Sequence, residues 1–225
     1  NFIKNVFLTA SGGPFFNKNY NNIKFSSYKD AIKHPKWNMG VKNSLDSASL
    51  VNKCLEIIEA HYLFNIKYKK IKILIHPESL IHSILEFYDF TSNFNYFYHD
   101  MFIPIFNFLN IDNKNTSEIN YINKFKLSKK ISLNFYKPNY SNYPILKIFD
   151  QMDKYQSKNI INFNTGNELA IQLFSQGKIK FGDITKIIEK SINLDLKIKL
   201  NNIENIIMYQ YELVNKLKSK LNVKI

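Results

Sequence analysis

Arginine is missing from this chain: the 31 basic residues are all lysine, set against 18 acidic ones, for a formal charge of +13. A charge of that size ordinarily points to nucleic acid or an anionic membrane. Nucleic-acid readers, however, lean on arginine for bidentate contacts to base edges. The lysines here are dispersed, as in Lys67-Tyr-Lys69-Lys70-Ile-Lys72, and they sit among many Asn, Ile, Phe and Tyr residues. Those residue types share AT-rich codons, so genome composition accounts for the charge without a polyanion. No nucleic-acid partner is expected.

Cysteine is scarce too. The single Cys54 rules out an internal disulfide framework, fits a reducing compartment, and sits at an apolar helical position where a buried, inert thiol is expected. No apolar run approaches the roughly 18 residues of a membrane helix, so no membrane partner is expected. Glycine accounts for only 6 of the 225 residues, and no G-x-G-x-x-G fingerprint of a dinucleotide fold is present.

What is present concentrates near the start. His34-Pro-Lys-Trp-Asn-Met-Gly40 mixes Pro, Gly, Trp and Met among polar residues and reads as a loop able to close over a ligand. Asp46 or Ser47 is suited to cap a helix running from 47 to about 62, through Leu50, Val51, Leu55, Ile57 and Ile58. A helix N-terminus suits a phosphate. Asn52, Lys53 and Glu56 fall on one side of that helix, bringing together an amide donor, a cation and a carboxylate. Spacing alone leaves open the plainer reading of an amphipathic helix with a solvated Lys–Glu pair. Upstream, Val6–Ala10 is an apolar strand entering Ser11-Gly12-Gly13-Pro14, a turn whose backbone can approach a ligand.

These segments stand in the order and spacing of a known family. Leu8-Thr-Ala-Ser-Gly-Gly-Pro-Phe15, the His34–Gly40 loop, Asp46-Ser-Ala-Ser-Leu-Val-Asn-Lys-Cys-Leu-Glu56 and Ile75-His-Pro-Glu-Ser-Leu-Ile-His-Ser83 together resemble 1-deoxy-D-xylulose 5-phosphate reductoisomerases. The likeness continues through Asp100–Ile105 and Phe163–Glu168. It implies that Ser11, His34, Ser47, Asn52 and Lys53 bind substrate, mostly through its phosphate. It implies that Glu56 ligates a divalent metal, Mg²⁺ or Mn²⁺, beside the substrate hydroxyls, and that Lys53 and Glu56 carry the chemistry. Trp37 and Met39 would belong to a lid, and Gly40 would meet NADPH. The implied reaction converts 1-deoxy-D-xylulose 5-phosphate to 2-C-methyl-D-erythritol 4-phosphate in a homodimer, located in a bacterial cytoplasm or a plastid stroma.

The chain departs from the family pattern at Phe16, Val41 and Cys54, where Arg, a basic residue and Gly are usual. It also opens just before the L-T-A-S-G-G-P-F strand, whereas the family has a dinucleotide-binding half and a D-S-E segment, with two further metal carboxylates, ahead of it. The expectation is therefore a C-terminal half whose missing N-terminal half is a required partner. The alternative is an inactive phosphate-sugar binding or interaction remnant.

With 225 residues and 45% hydrophobic content the chain can bury a sizeable core. The expected fold class is α+β, a mixed-sheet catalytic region (1–110), a polar connector (111–130) and a helical bundle (131–225). Strands are expected near 4–10, 71–76 and 130–135, with a hairpin of 80–88 and 93–98. Helices are expected near 27–33, 104–109, 143–155, 167–176, 182–192 and 202–221, with breaks at Gly177 and Gly182. His76 and His82 have poor spacing for a metal pair, and their segment is read as supporting the fold and the dimer contact. His61 and His99 are read as structural. Asn167-Glu168 is read as opening a C-terminal helix.

Overall fold

The computed structural model describes residues 2–36, 39–109 and 131–221. The expected connector 111–130 and Trp37 of the lid lie outside them.

Strand β1 (Ile3–Ala10) is central to a four-stranded sheet of order β2-β1-β3-β4, with β2 at Ile71–Ile75, β3 at Ile81–Phe87 and β4 at Ser92–Tyr96. β1 runs parallel to β2, in register Val6↔Ile71 to Ala10↔Ile75, and antiparallel to β3. The sheet is therefore mixed, and the α+β class holds. The expected hairpin is β3–β4, turned by Asp89, whose Oδ1 accepts from the backbone N–H of Thr91 at 3.0 Å. The expected strand at 130–135 is not formed in its described part: residues 131–135 are irregular, and only Tyr136 bridges Ile75. Pro138 follows closely and has no N–H to extend a ladder.

Among the described residues, four α-helices lie between β1 and β2: α1 (Tyr20–Ile23), α2 (Tyr28–Ala31), α3 (Val41–Ser49) and α4 (Val51–Phe64). The single helix expected from 47, capped by Asp46 or Ser47, is corrected. Leu50 adopts φ 63°, a left-handed residue that ends α3 and starts α4. Its side chain is buried, and core packing overrides the local preference of Leu for a right-handed turn. Asp46 and Ser47 thus belong to the last turns of α3.

Helix α5 (Phe102–Phe108) starts two residues before the expected 104, beside Asp100, whose Oδ1 accepts from Phe102 N–H at 2.9 Å. The C-terminal helices are α6 (Pro144–Gln151), α7 (Ser157–Ser175), α8 (Phe181–Ile192) and α9 (Ile203–Leu221). α6 stops at Gln151 rather than 155, because Met152 turns extended. α7 begins ten residues before the expected 167, so Asn167 lies mid-helix. The Asn-rich start hid this, since asparagine is a weak helix former. Buried Asn162 is compensated by tertiary bonds, donating to Leu194 O at 2.8 Å and accepting from Tyr209 Oη–H at 2.9 Å. Gly177 does end α7, but Gly182 sits inside α8, where its backbone N–H donates to Lys24 O at 2.9 Å.

Buried apolar side chains form one cluster running from Val6 and Ala10 through Leu45, Val51 and Ile58 to Phe163, Ile188 and Leu217. The helical segment thus packs directly behind α3 and α4. No helix among the described residues is long and apolar enough to cross a membrane.

Candidate active site

Because β1 and β2 are parallel, their C-terminal ends open on the same edge of the sheet, where α/β architectures place ligands. His76 N–H donates to Ala10 O at 2.7 Å and fixes the two chain exits side by side. There a cavity of about 190 Å³ is lined by Ser11, His34, Met39, Ser47, Asn52, Lys53 and Glu56. Every described residue expected to bind substrate, the metal-ligand candidate Glu56 and the described lid residue Met39 therefore meet in one place. Gly40 does not line it. It is the N-cap of α3, with no side-chain cap bond.

Ser11 Oγ accepts from Gly13 N–H at 3.1 Å and lies 2.8 Å from His34 Nε2. His34 Nδ1 accepts from Lys36 N–H at 3.2 Å, which puts the imidazole proton on Nε2, donated to Ser11. Burial pushes the His34 pKa down to about 4, so the ring is neutral near pH 7. With both contacts ending on its oxygen, Ser11 keeps its O–H as a donor.

Helix α4 contributes the charged wall. Lys53 Nζ lies 2.8 and 2.7 Å from the two Glu56 oxygens, and Asn52 Nδ2 donates to Oε1 at 2.6 Å. The lysine side chain is 13% exposed against 32% for the carboxylate, so the cation is the deeper partner. This geometry departs from a solvated surface pair. Cys54, between them in sequence, faces the core, and burial pushes its thiol far up, as expected of an inert cysteine.

Among the described residues, Glu56 is the one carboxylate in the lining, and no group of three or more His, Cys, Asp or Glu could hold a metal. The described residues therefore fit a divalent ion only in part: they supply one carboxylate beside neutral Ser and Asn oxygens, and such ions take about six oxygen ligands.

The opposite wall was missed as part of the site. His76, Ser79, Ile81, His82 and Met101 line the cavity, as does Asn43 of α3. The stretch read as fold support thus also faces the cavity. His76 is fully buried, donates from Nδ1 to Asn134 O at 2.8 Å and stacks on Phe135 with centroids 4.6 Å apart, while its Nε2 has no hydrogen-bond partner among the described residues. His82 stacks on Phe97 at 3.7 Å, and burial lowers its pKa. The signal that would have found this wall is strand order, since His76 directly follows a strand parallel to β1. His61, by contrast, stacks on Tyr68 at 4.0 Å outside the cavity, in keeping with its structural reading.

Comparison with known proteins follows the same lines. A family profile described as "1-deoxy-D-xylulose 5-phosphate reductoisomerase C-terminal domain" matches residues 1–64, and one described as "DXP reductoisomerase C-terminal domain" matches residues 98–215. The 1-deoxy-D-xylulose 5-phosphate reductoisomerase of Clostridium botulinum strain Hall is 37% identical over 221 residues, which is 98% of this chain and 57% of the relative. That of Sulfurihydrogenibium sp. is 40% identical over 204 residues, or 91% of this chain and 54% of the relative. A crystal structure of DOX-P reductoisomerase with NADPH, fosmidomycin and magnesium superposes with TM-score 0.87 at 31% identity, covering 98% of this chain and 55% of the other. The Zymomonas mobilis enzyme with NADPH gives 0.82 at 28% identity, covering 99% and 57%. The chain thus spans about half the length of the curated relatives it matches. It belongs to the 1-deoxy-D-xylulose 5-phosphate reductoisomerase family, matching that family's C-terminal domains.

Proposed function

We propose that this chain is the substrate-binding and catalytic part of an NADPH- and divalent-metal-dependent reductoisomerase converting 1-deoxy-D-xylulose 5-phosphate to 2-C-methyl-D-erythritol 4-phosphate. The observation that carries the reading is the convergence of Ser11, His34, Ser47, Asn52, Lys53 and Glu56 on one cavity. Residues 1–110 would form the catalytic region and 131–225 its helical support. Ser11, Ser47, Asn52 and Lys53 hold the phosphate, three neutral donors and one point charge. That remote binding orients the reacting end toward Glu56. Glu56 supplies one ligand to Mg²⁺ or Mn²⁺, which when bound would stabilise negative charge developing on the substrate oxygens. Met39, with Trp37, closes over the bound substrate and excludes water. Gly40, at the start of α3, meets the nicotinamide cofactor. A homodimer is supported by the apolar edge at β4 and α5, where Phe94, Phe102, Ile105 and Phe108 are exposed.

One observation favours the second reading, a binding module without turnover: among the described residues Glu56 is the single carboxylate of the lining. A fusion experiment separates the two. The 225-residue chain alone should not oxidise NADPH with 1-deoxy-D-xylulose 5-phosphate. Joined to the N-terminal half of a relative it should, and the Glu56→Gln fusion should not. A correctly folded fusion that binds both ligands but never turns over would decide for the binding module.

A further inference from the structure

The helical segment sends two buried side chains to the two turns that present Ser11 and Ser47. We propose that Asn167 and Tyr143 are positioning residues for phosphate binding, setting these two donors from behind without touching the ligand. This inference rests on the phosphate-sugar reading of the cavity.

Asn167 is fully buried in the middle of α7 and donates from Nδ2 to Asp46 Oδ1 at 2.7 Å. Asp46 is itself 1% exposed, and its other oxygen accepts from Lys42 Nζ at 2.7 Å. It directly precedes Ser47, so this bond holds the last turn of α3 at the residue beside the donor. The Asn167 carbonyl oxygen has no hydrogen-bond partner among the described residues. A buried amide half left unpaired costs stability, and an apolar side chain of similar size would fill the site without that loss. The compensating feature is the grip on Asp46.

Tyr143 does the same for the other turn. Its hydroxyl donates to Gly12 O at 2.9 Å, and Gly12 sits at φ 85° directly after Ser11. Burial pushes the phenol pKa up to about 12, so it stays a donor across the neutral range. The two turns also touch each other. A Cβ built on Gly13, at φ +65°, would fall 2.8 Å from Ser47 O and 2.9 Å from Ala48 Cα. Ser11 and Ser47 are thus set by a three-part clamp of close backbone contact and two buried hydrogen bonds. Neither Tyr143 nor Asn167 lines the cavity.

The test titrates the 225-residue chain with inorganic phosphate and follows backbone amide resonances. Tyr143→Phe keeps the ring and deletes only the hydroxyl. Asn167→Leu keeps the volume and deletes the donor. In each folded variant phosphate affinity should fall about three- to tenfold, the size of one lost positioning bond. Amide shifts should change around Ser11–Gly13 in the first variant and around Asp46–Ser49 in the second. Lower thermal midpoints with phosphate affinity within twofold of wild type would overturn the inference, leaving both residues as packing alone. If Asn167→Leu fails to fold, Tyr143→Phe decides by itself. A wild-type chain with no phosphate response at Ser11, Ser47 or Lys53 would instead overturn the phosphate reading of the cavity, and this inference with it.

Discussion

The two walls of the cavity are built from opposite materials. One is a single helical face, Asn52, Lys53 and Glu56, carrying a cation and a carboxylate within 2.8 Å of each other. The other, the neutral wall in that it has no lysine or carboxylate, is His76, Ser79 and His82, with its rings stacked on Phe135 and Phe97 and one nitrogen of each ring bonded to a backbone carbonyl. Charge on one side and stacked, hydrogen-bonded rings on the other suggest a division of labour, in which the helix binds and the strand side holds shape. On the charged wall lysine and glutamate are paired with each other, so either one would have to give up its partner to take a ligand. The neutral wall is anchored to the sheet and has little freedom to exchange.

The largest effect should come from breaking the charged wall. Lys53→Ala removes a charge-assisted contact of about 1.5–3 kcal/mol, so phosphate affinity should drop about 10- to 150-fold. Glu56→Gln should act oppositely. It removes the carboxylate that now occupies the lysine, so inorganic phosphate should bind up to about tenfold tighter while Mg²⁺ or Mn²⁺ binding weakens. Calorimetric titration of each variant with phosphate and with metal checks both signs. Equal losses in both titrations would mean the pair maintains the fold rather than dividing a site.

The same contrast explains what was legible before any coordinates. Asn52, Lys53 and Glu56 were readable because helical spacing is local: three residues within five positions share a face whatever else the chain does. Strands β1 and β2 were readable from apolar runs, and the β3–β4 hairpin from aromatic and aliphatic segments flanking Asp89. The neutral wall was not, because it depends on β2 lying parallel beside β1, a pairing of residues some 65 positions apart in sequence. The break at Leu50 was equally hidden. Nothing about leucine announces a left-handed residue, and only the burial of its side chain makes that conformation tolerable. Asn167 illustrates the third kind of failure: its place in the middle of a helix, bonded to Asp46, follows from tertiary partners that outweigh weak local propensity.

A smaller effect sharpens the neutral side of the comparison. His76→Phe keeps a ring to stack on Phe135 but loses the bond to Asn134 O, which costs about 1–3 kcal/mol. Removing the unpaired Nε2 returns part of that, so the net loss should be about 1 kcal/mol. For a chain of this size that is roughly 2–4 °C in thermal midpoint. Phosphate affinity should stay within about threefold of wild type, well short of the Lys53→Ala loss. A phosphate defect as large as that of Lys53→Ala would show that the neutral wall also grips the ligand.

The last effect belongs to His34, which lines the same cavity and shows itself only as pH changes. Its ring is half-buried and donates to Ser11 as a neutral group, with a pKa pushed by burial from 6.5 to about 4. The unfolded chain takes up a proton on this residue near pH 6.5, and the folded one only near 4. Between those values the unfolded state binds more protons, so stability is intact above pH 6.5 and declines as pH falls toward 4. Partial exposure keeps the slope below the ideal 1.36 kcal/mol per unit. His82 and His99 are lowered by burial as well, and they contribute acid sensitivity of their own. The informative quantity is therefore the difference between wild type and His34→Phe, measured by chemical denaturation from pH 4 to 8, in which those shared contributions cancel. Wild type should gain on the variant as pH rises from 4 to 6.5, and the gap should then stay level. A gap that is flat throughout would mean that His34 is hydrated and titrates normally. The Ser11 oxygen would then face a cation at mildly acid pH, and His34 would belong with the charged wall.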